Sequence, residues 1–188
     1  FSLFGSAREV SLASSNLARV FLFLGDLPRA AELSNHALER ARQLGDRYLE
    51  AGALLNLGSV RADEHKVVEA LQLFDDARVK FERVGNLGYA ALAAALRARV
   101  HLSLHERAQA ELVLARPCVT EGAPQLAAAA FEVALNQADL SLAAGDLHGA
   151  GRAAMRAREA LLSHHDVEGP IRTAVVMGRL RQAAADSS

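Results

Sequence analysis

Apolar and polar residues alternate along this chain with the spacing of amphipathic helices. At 100° per residue, the first such stretch places Ser14, Leu17, Ala18 and Phe21 on a core side. The opposite side carries Leu12, Ser15, Asn16, Arg19 and Phe23. This pattern, together with the turn residues that interrupt it, predicts helices over residues 8–24, 27–43, 47–64, 67–83, 87–104, 107–115, 124–144, 147–163 and 170–185. We therefore expect an all-α protein of about nine antiparallel helices.

The helical pattern repeats with a period of forty residues. Stepping by forty along the odd-numbered helices, called A helices, gives a column of small residues: Ala18, Gly58, Ala98 and Ala138. A second small column follows the even-numbered B helices: Ala30, Ala70, Ala110 and Ala150. Side chains of one carbon or none allow two helices to approach closely, so each period reads as a tightly packed A–B helix pair.

The turns keep the same period. Gly25-Asp26 and Gly145-Asp146 lie between the A and B helices of their repeats, and Gly45-Asp46 separates two repeats. A glycine stops one helix in the left-handed conformation, and the following aspartate supplies the cap of the next helix.

The period divides the chain into a single array over residues 1–188. Residues 1–6, FSLFGS, align with the ends of later B helices and are predicted to be the tail of a preceding helix. Pro117 stands where other repeats have Ala, so we expect the B helix of repeat three to end near Ala115. A loop through Gly122 then leads to Pro124, which opens the next A helix. The predicted repeats are 7–46, 47–86, 87–123 and 124–166, with a capping or partial fifth repeat at 167–188.

Composition narrows the class of partner. The chain is 51% hydrophobic and 23% charged, with a formal net charge of -1. This composition excludes a disordered chain. The net charge provides no positive field of the kind that binds nucleic acid, and no apolar run in the sequence is long enough to span a membrane. A single cysteine, Cys118, excludes an internal disulfide and fits a reducing compartment, for which we expect the cytoplasm.

The run Leu54-Leu55-Asn56-Leu57-Gly58, the turn at Gly25 to Leu27 and the recurrent Leu-Gly-Asp at Leu44 to Asp46 resemble the tetratricopeptide repeat (TPR). They are similar to its forty-residue variety, found in bacterial MalT-like and SARP-like regulators, signalling ATPases and LGN-type scaffolds. The resemblance implies a right-handed α-α superhelix whose A helices line a concave groove. A period of forty also falls within the HEAT and armadillo range.

The groove that the resemblance implies contains several polar columns. The residues predicted to contact a peptide are Asn16, Arg19, Phe23, Asn56, Ser59, Asp63, Arg99, Asn136, Asp139 and Arg179. An asparagine amide both donates to and accepts from a peptide backbone, so we interpret the asparagine column as a ladder for an extended or helical segment. The alternative is that these asparagines are solvated or cap their neighbours. Arginines alternating with acids favour a partner chosen by its charge pattern.

No motif for catalysis or cofactor binding stands out. His101 and His105 have an i, i+4 spacing, but the glutamate of a metalloprotease motif is missing, and the repeat register gives them a core and a turn position. Cys118 has no assignable His and acid partners. A carboxylate clamp of the chaperone type lacks its lysine. We therefore expect no metal, no cofactor and no enzymatic activity.

The sequence thus predicts a module that binds a protein or peptide in the A-helix groove, without contact to nucleic acid or membrane, within a larger bacterial regulatory or signalling protein. The alternative is self-assembly, as a homodimer or end-to-end scaffold, through terminal helix faces. Sensing of a small-molecule effector is a third and weaker alternative, because an open face with few aromatic residues suits small ligands poorly.

Overall fold

The structure, a computed structural model, describes residues 3–162 and 169–186, and every regular element in those two ranges is helical. The predicted all-α helical repeat is confirmed. The chain divides into two compact units, Phe1–Asn86 and Leu87–Ser188. Among the helices that the structure describes, none combines the length and the apolar character that crossing a membrane requires.

Unit 1 contains four long helices: α1 (Leu3–Phe23), α2 (Leu27–Leu44), α3 (Arg47–Asp63) and α4 (Val67–Arg83). Each helix packs on the next along the chain, and α1 also contacts α3. Among the side chains of this unit that the structure describes, Phe74 and Phe81 of α4 are the largest that are fully buried. Burial of such rings contributes about 1.5–3 kcal/mol each to folding.

Unit 2 is less regular. It contains α5 (Leu87–Ser103), α6 (Arg107–Leu114), α7 (Pro117–Gly122), a 3-10 turn (Ala123–Gln125), α8 (Ala127–Ala143), α9 (Leu147–Leu162) and α10 (Gly169–Ala185). Helix α5 contacts α6, α7 and α8, while α8 contacts α9 and α10. Phe131, Leu135 and Val176 belong to one apolar cluster shared by α8, α9 and α10.

Turn residues explain where the long helices end. Gly25, Gly45, Gly85 and Gly145 all have positive φ, between 64° and 77°. His65 and His105 occupy the same turn column as Gly25 and also have positive φ, 59° and 61°. Asp26, Asp46 and Asp146 follow a glycine, and each accepts a hydrogen bond from the main-chain N–H three residues later. The predicted Gly-Asp turns, in which glycine ends one helix and aspartate caps the next, are therefore present in the structure.

The small columns lie at helix contacts. All eight residues predicted for them are buried: Ala18, Ala30, Gly58, Ala70, Ala98, Ala110, Ala138 and Ala150. At Gly58 an added Cβ would lie 2.8 Å from ring atoms of Phe74, so α3 and α4 approach as closely as a glycine permits.

The predicted start of the first helix differs from the structure. Helix α1 begins at Leu3, so the described residues of FSLFGS are its first turns and not the tail of a preceding helix. Gly5 does not end a helix in the left-handed conformation as the later turn glycines do, and α1 continues through it. The predicted boundary between residues 166 and 167 lies outside the described residues.

Repeat three also differs. Helix α6 ends at Leu114, close to the predicted Ala115, but the predicted loop is the short helix α7. Pro117 restarts the helix because it occupies the first helical position, where a fixed φ is favourable and no N–H is needed. Pro124 belongs to the 3-10 turn, and α8 begins only at Ala127, because Leu126 is extended with φ -139° and ψ 115°. The described ranges therefore hold ten α-helices, where about nine are predicted for the chain.

Leu17 is predicted to lie in the core, but 45% of it is exposed. Leu57, forty residues later, is only 4% exposed, since α2 packs on α3 within unit 1. Helix α3 packs against α1, α2 and α4, whereas the main contacts of α1 are with α2 and α3. Phe21 is half-buried.

Candidate binding groove

Three helices of unit 2, α5, α8 and α10, correspond to the predicted A helices and line an open cavity of about 710 Å³. Helix α8 contacts both α5 and α10, and the cavity is also lined by His105 in the turn after α5 and by Arg107 at the start of α6. The polar lining residues are Arg99, Ser103, His105, Arg107, Asn136, Asp139, Arg172, Arg179, Gln182 and Asp186. We call this cavity the unit-2 groove.

Four predicted groove residues meet here: Arg99, Asn136, Asp139 and Arg179. Arg99, Asp139 and Arg179 are one period apart on α5, α8 and α10, so the charges read plus, minus, plus across the three helices. Arg179 donates to Asp139 in an ion pair in which both side chains are at least a third exposed.

Glu132 lies beneath these charges, and its side chain is 10% exposed. Both terminal nitrogens of Arg172, Nη1 and Nη2, donate to its carboxylate, the latter at 3.0 Å, and Nη1 of Arg99 lies 3.4 Å from the same carboxylate. Burial opposes ionisation of Glu132, but the positive charges of Arg99 and Arg172 outweigh it and lower its pKa below the ordinary value. Glu132 is therefore an ionised anchor that fixes two arginines at the groove.

Arg107 and Arg172 are held by further contacts. Arg107 donates to the main-chain oxygen of Ala143 at 2.9 Å, which caps the end of α8. The guanidinium carbon of Arg172 lies 5.5 Å from the ring centroid of Phe131. These contacts keep the basic side chains in place before any ligand arrives.

Two asparagines of the predicted ladder, Asn56 and Asn136, bond to neighbouring helices instead of facing a ligand, while Asn16 is exposed. Asn136 is 2% exposed, and its Nδ2 donates to the main-chain oxygen of Ala95 at 2.8 Å. Asn56 of unit 1 is 5% exposed, and its Nδ2 donates to the main-chain oxygen and the Oγ of Ser15, at 2.9 and 3.0 Å. Each amide ties an A helix to the previous A helix of its unit, so neither amide nitrogen is available to a peptide.

The other predicted residues of unit 1 lie on α1 and α3. Asn16, Arg19 and Phe23 are exposed on α1. On α3, Asp63 is exposed, while the hydroxyl of Ser59 donates to the main-chain oxygen of Leu55 at 3.2 Å. These residues form a polar face with one exposed aromatic ring.

Sequence reasoning missed Arg172, Arg107 and His105 as groove residues. A signal for Arg172 was present, because Glu132 and Arg172 are opposite charges one period apart, as are Asp139 and Arg179. Residues one period apart occupy the same position on successive A helices, so opposite charges at that interval are candidates for ion pairs.

The remaining candidates for chemistry are not assembled into a site. His101 is buried and its Nδ1 lies 2.7 Å from Oε2 of Glu106, while His105 is exposed at the turn. Cys118 is a buried free thiol. Within residues 3–162 and 169–186, no three side chains of His, Cys, Asp or Glu form a group able to hold a metal ion.

Comparison with known proteins supports the fold alone. No protein-family model matches the chain, and no curated protein matches it. Among solved structures, the chain is similar to BtubC (BKLC) from P. vanneervenii, with a TM-score of 0.67 and 19% sequence identity. The similarity covers 97% of this chain and 83% of that chain.

Proposed function

We propose that the chain is a protein-interaction module that binds a peptide segment in the unit-2 groove and has no catalytic activity of its own. The observation that carries this proposal is the alternation of Arg99, Asp139 and Arg179 along one open cavity. Such a row selects a segment by the order of its charges. The ordered arginines reduce the entropy lost on binding.

The proposal includes the family and the setting. The Leu54 to Gly58 run and the Gly-Asp turns support a forty-residue tetratricopeptide array, and the packed small columns are consistent with it. By that resemblance we place the chain in the cytoplasm, as part of a larger bacterial regulatory or signalling protein. We propose no direct contact with nucleic acid or membrane, and no cofactor or metal.

A peptide-display experiment tests the groove. Peptides selected from a random library on the full chain are measured against wild type, Arg99→Ala, Asp139→Ala and Arg158→Ala. Arg158 is exposed on α9 and does not line the unit-2 groove, so its removal is the matched control. We expect Arg99→Ala and Asp139→Ala to weaken binding about tenfold or more, since each removes a charge-assisted contact. Unchanged affinity in both variants, or an equal loss in Arg158→Ala, would show that the groove is not the site.

A second candidate function, self-assembly, is favoured by one observation on α1. Val10, Leu17 and Val20 fall on one side of this helix, and Leu24 follows its end. All four are 45–66% exposed and form an apolar stripe of the kind that marks interaction sites. Sedimentation over a concentration series tests it with Leu17→Glu. A concentration-dependent dimer that Leu17→Glu abolishes supports assembly, and a monomer at every concentration removes it.

A further inference from the structure

A small basic cleft lies in unit 1, between the first turn of α3 and the last turn of α4. Its volume is about 280 Å³, and its lining consists of Arg47, Glu50, Lys80 and Arg83. Three cationic side chains therefore surround one carboxylate. We call this the α3–α4 cleft.

Glu50 is already compensated by two cations. One of its oxygens accepts from Nε of Arg42 at 3.2 Å, and the other lies 3.2 Å from Nζ of Lys80. Arg47 and Arg83 are exposed, and they make no ion pair with any residue in the described part of the chain. The cleft thus has about two positive charges without an internal partner.

Helix stability does not explain all of these positions. Lys80 and Arg83 lie in the last turn of α4, where cations complement the helix dipole. Arg47 is the first residue of α3, where the dipole disfavours a cation. Asp46 already caps that end of α3 with its carboxylate, so the helix terminus itself is not a free anion site. Helix stability therefore accounts for Lys80 and Arg83 but not for Arg47, whose charge adds to the positive excess of the cleft.

An aromatic contact joins the start of α3 to the end of α4. Tyr48, next to Arg47, packs edge-on against Phe81, next to Lys80, with ring centroids 5.8 Å apart. Phe81 is 1% exposed. This aromatic contact fixes the spacing between the cationic side chains of α3 and those of α4, as a preformed binding site requires.

We propose that the α3–α4 cleft binds a phosphate monoester group. A phosphate monoester carries about -1.5 to -2 charges near pH 7, which balances the excess of the lining, and its oxygens suit arginine forks. A ligand with a single carboxylate would leave one of the two unpaired cations unbalanced. This proposal involves no residue of the unit-2 groove, so it is independent of the peptide-binding proposal and is tested separately.

Calorimetric titration at constant ionic strength tests the cleft with inorganic phosphate, and with chloride as the reference anion. Wild type, Arg47→Ala, Arg83→Ala and Arg40→Ala are compared. Arg40 is exposed on α2 and makes no hydrogen bond or ion pair within the described residues, so Arg40→Ala removes the same charge from another place. We expect saturable phosphate binding by wild type and Arg40→Ala, and affinity about tenfold lower in Arg47→Ala and Arg83→Ala.

Two further probes identify the source of the phosphate group. A phosphoserine peptide that binds at least tenfold more tightly than inorganic phosphate indicates a phosphorylated partner protein, and equal affinities indicate a small phosphorylated molecule. The unphosphorylated peptide must not bind the cleft. Absence of phosphate binding, or equal binding by all four proteins, would overturn the proposal, because a general salt effect does not depend on Arg47 or Arg83. Circular dichroism verifies that each variant retains the helical content of wild type.

Discussion

Gly58 shows how little space separates two packed helices. An added Cβ would lie 2.8 Å from Cδ1 and Cε1 of Phe74, a ring that is 0% exposed and has no room to retreat. Overpacking of this kind costs about 1–3 kcal/mol, which exceeds the helix propensity of about 1 kcal/mol that alanine gains over glycine. We expect Gly58→Ala to lower the free energy of unfolding by about 1 kcal/mol, measured by urea denaturation.

Gly52 provides the control in the same helix. Nothing lies within 4 Å of a Cβ added there, so Gly52→Ala should raise the free energy of unfolding by about 0.5–1 kcal/mol through helix propensity alone. If Gly58→Ala stabilised the protein as much as Gly52→Ala, the close approach of α3 to α4 would be wrong.

The asparagines show where reasoning at single residues reaches its limit. Their period and their place on the A helices were evident in the sequence, and so was the need for a reason to put Asn in a helix interior. The reason is a bond to a main-chain oxygen of the neighbouring A helix, 41 residues earlier in both units. Sequence spacing gives the face of a residue, but the depth to which that face is buried depends on how closely two helices approach.

Helix α7 makes a very close contact with α5 at Gly122. A Cβ added at Gly122 would lie 2.1 Å from the main-chain oxygen of Leu87 and 2.5 Å from its carbonyl carbon. Main-chain atoms at the start of a helix move only if the helix moves, so Gly122→Ala must displace α7 from α5. We expect a loss of about 3 kcal/mol in the free energy of unfolding, at the upper end of overpacking costs. Thermal unfolding measures it.

Gly151 of α9 is the matched control, because a Cβ there meets nothing within 4 Å. Gly151→Ala should raise the free energy of unfolding by about 0.5–1 kcal/mol through helix propensity, as at Gly52. A similar effect of the two substitutions would contradict the docking of α7 against α5.

Prediction of helices succeeded where the chain is periodic. The bounds of α4 agree with the predicted 67–83, and those of α3 and α5 differ by one residue at the end, because glycine, histidine or aspartate marks each turn. Helix α7 was missed because Pro117 was interpreted as a stop. Proline ends a helix that precedes it, but it equally favours the first turn of a new one, and the choice depends on what the new helix packs against.

In the molecule as a whole, the forty-residue period makes the candidate groove partly predictable. The period places Arg99, Asp139 and Arg179 at equivalent positions of successive A helices, and in the structure all three line one cavity. The depth of Glu132 was not predictable, since charged residues are rarely buried and nothing in the local sequence shows that two arginines compensate it. Its contribution to the stability of the whole chain can be measured.

Glu132→Gln removes the anion between Arg99 and Arg172, whose side chains are 35% and 26% exposed. Breaking a buried ion pair on one side leaves positive charges partly desolvated, so we expect a loss of about 3 kcal/mol at pH 7. Because the pKa of Glu132 is lowered in the folded state, its stabilisation is complete above the ordinary value of 4.5 and is lost as the pH falls through the lower, folded value.

The difference in unfolding free energy between wild type and Glu132→Gln should therefore be constant from pH 7 to about pH 5 and shrink at lower pH. Glu64, whose pKa is also lowered by its hydrogen bond from Lys66, is present in both proteins and cancels from that difference. Glu159→Gln, on the exposed side of α9, should match wild type at every pH. A difference that stays constant to the lowest accessible pH would mean that the substituted amide disturbs packing, and that the ionised carboxylate of Glu132 is not what holds Arg99 and Arg172 at the groove.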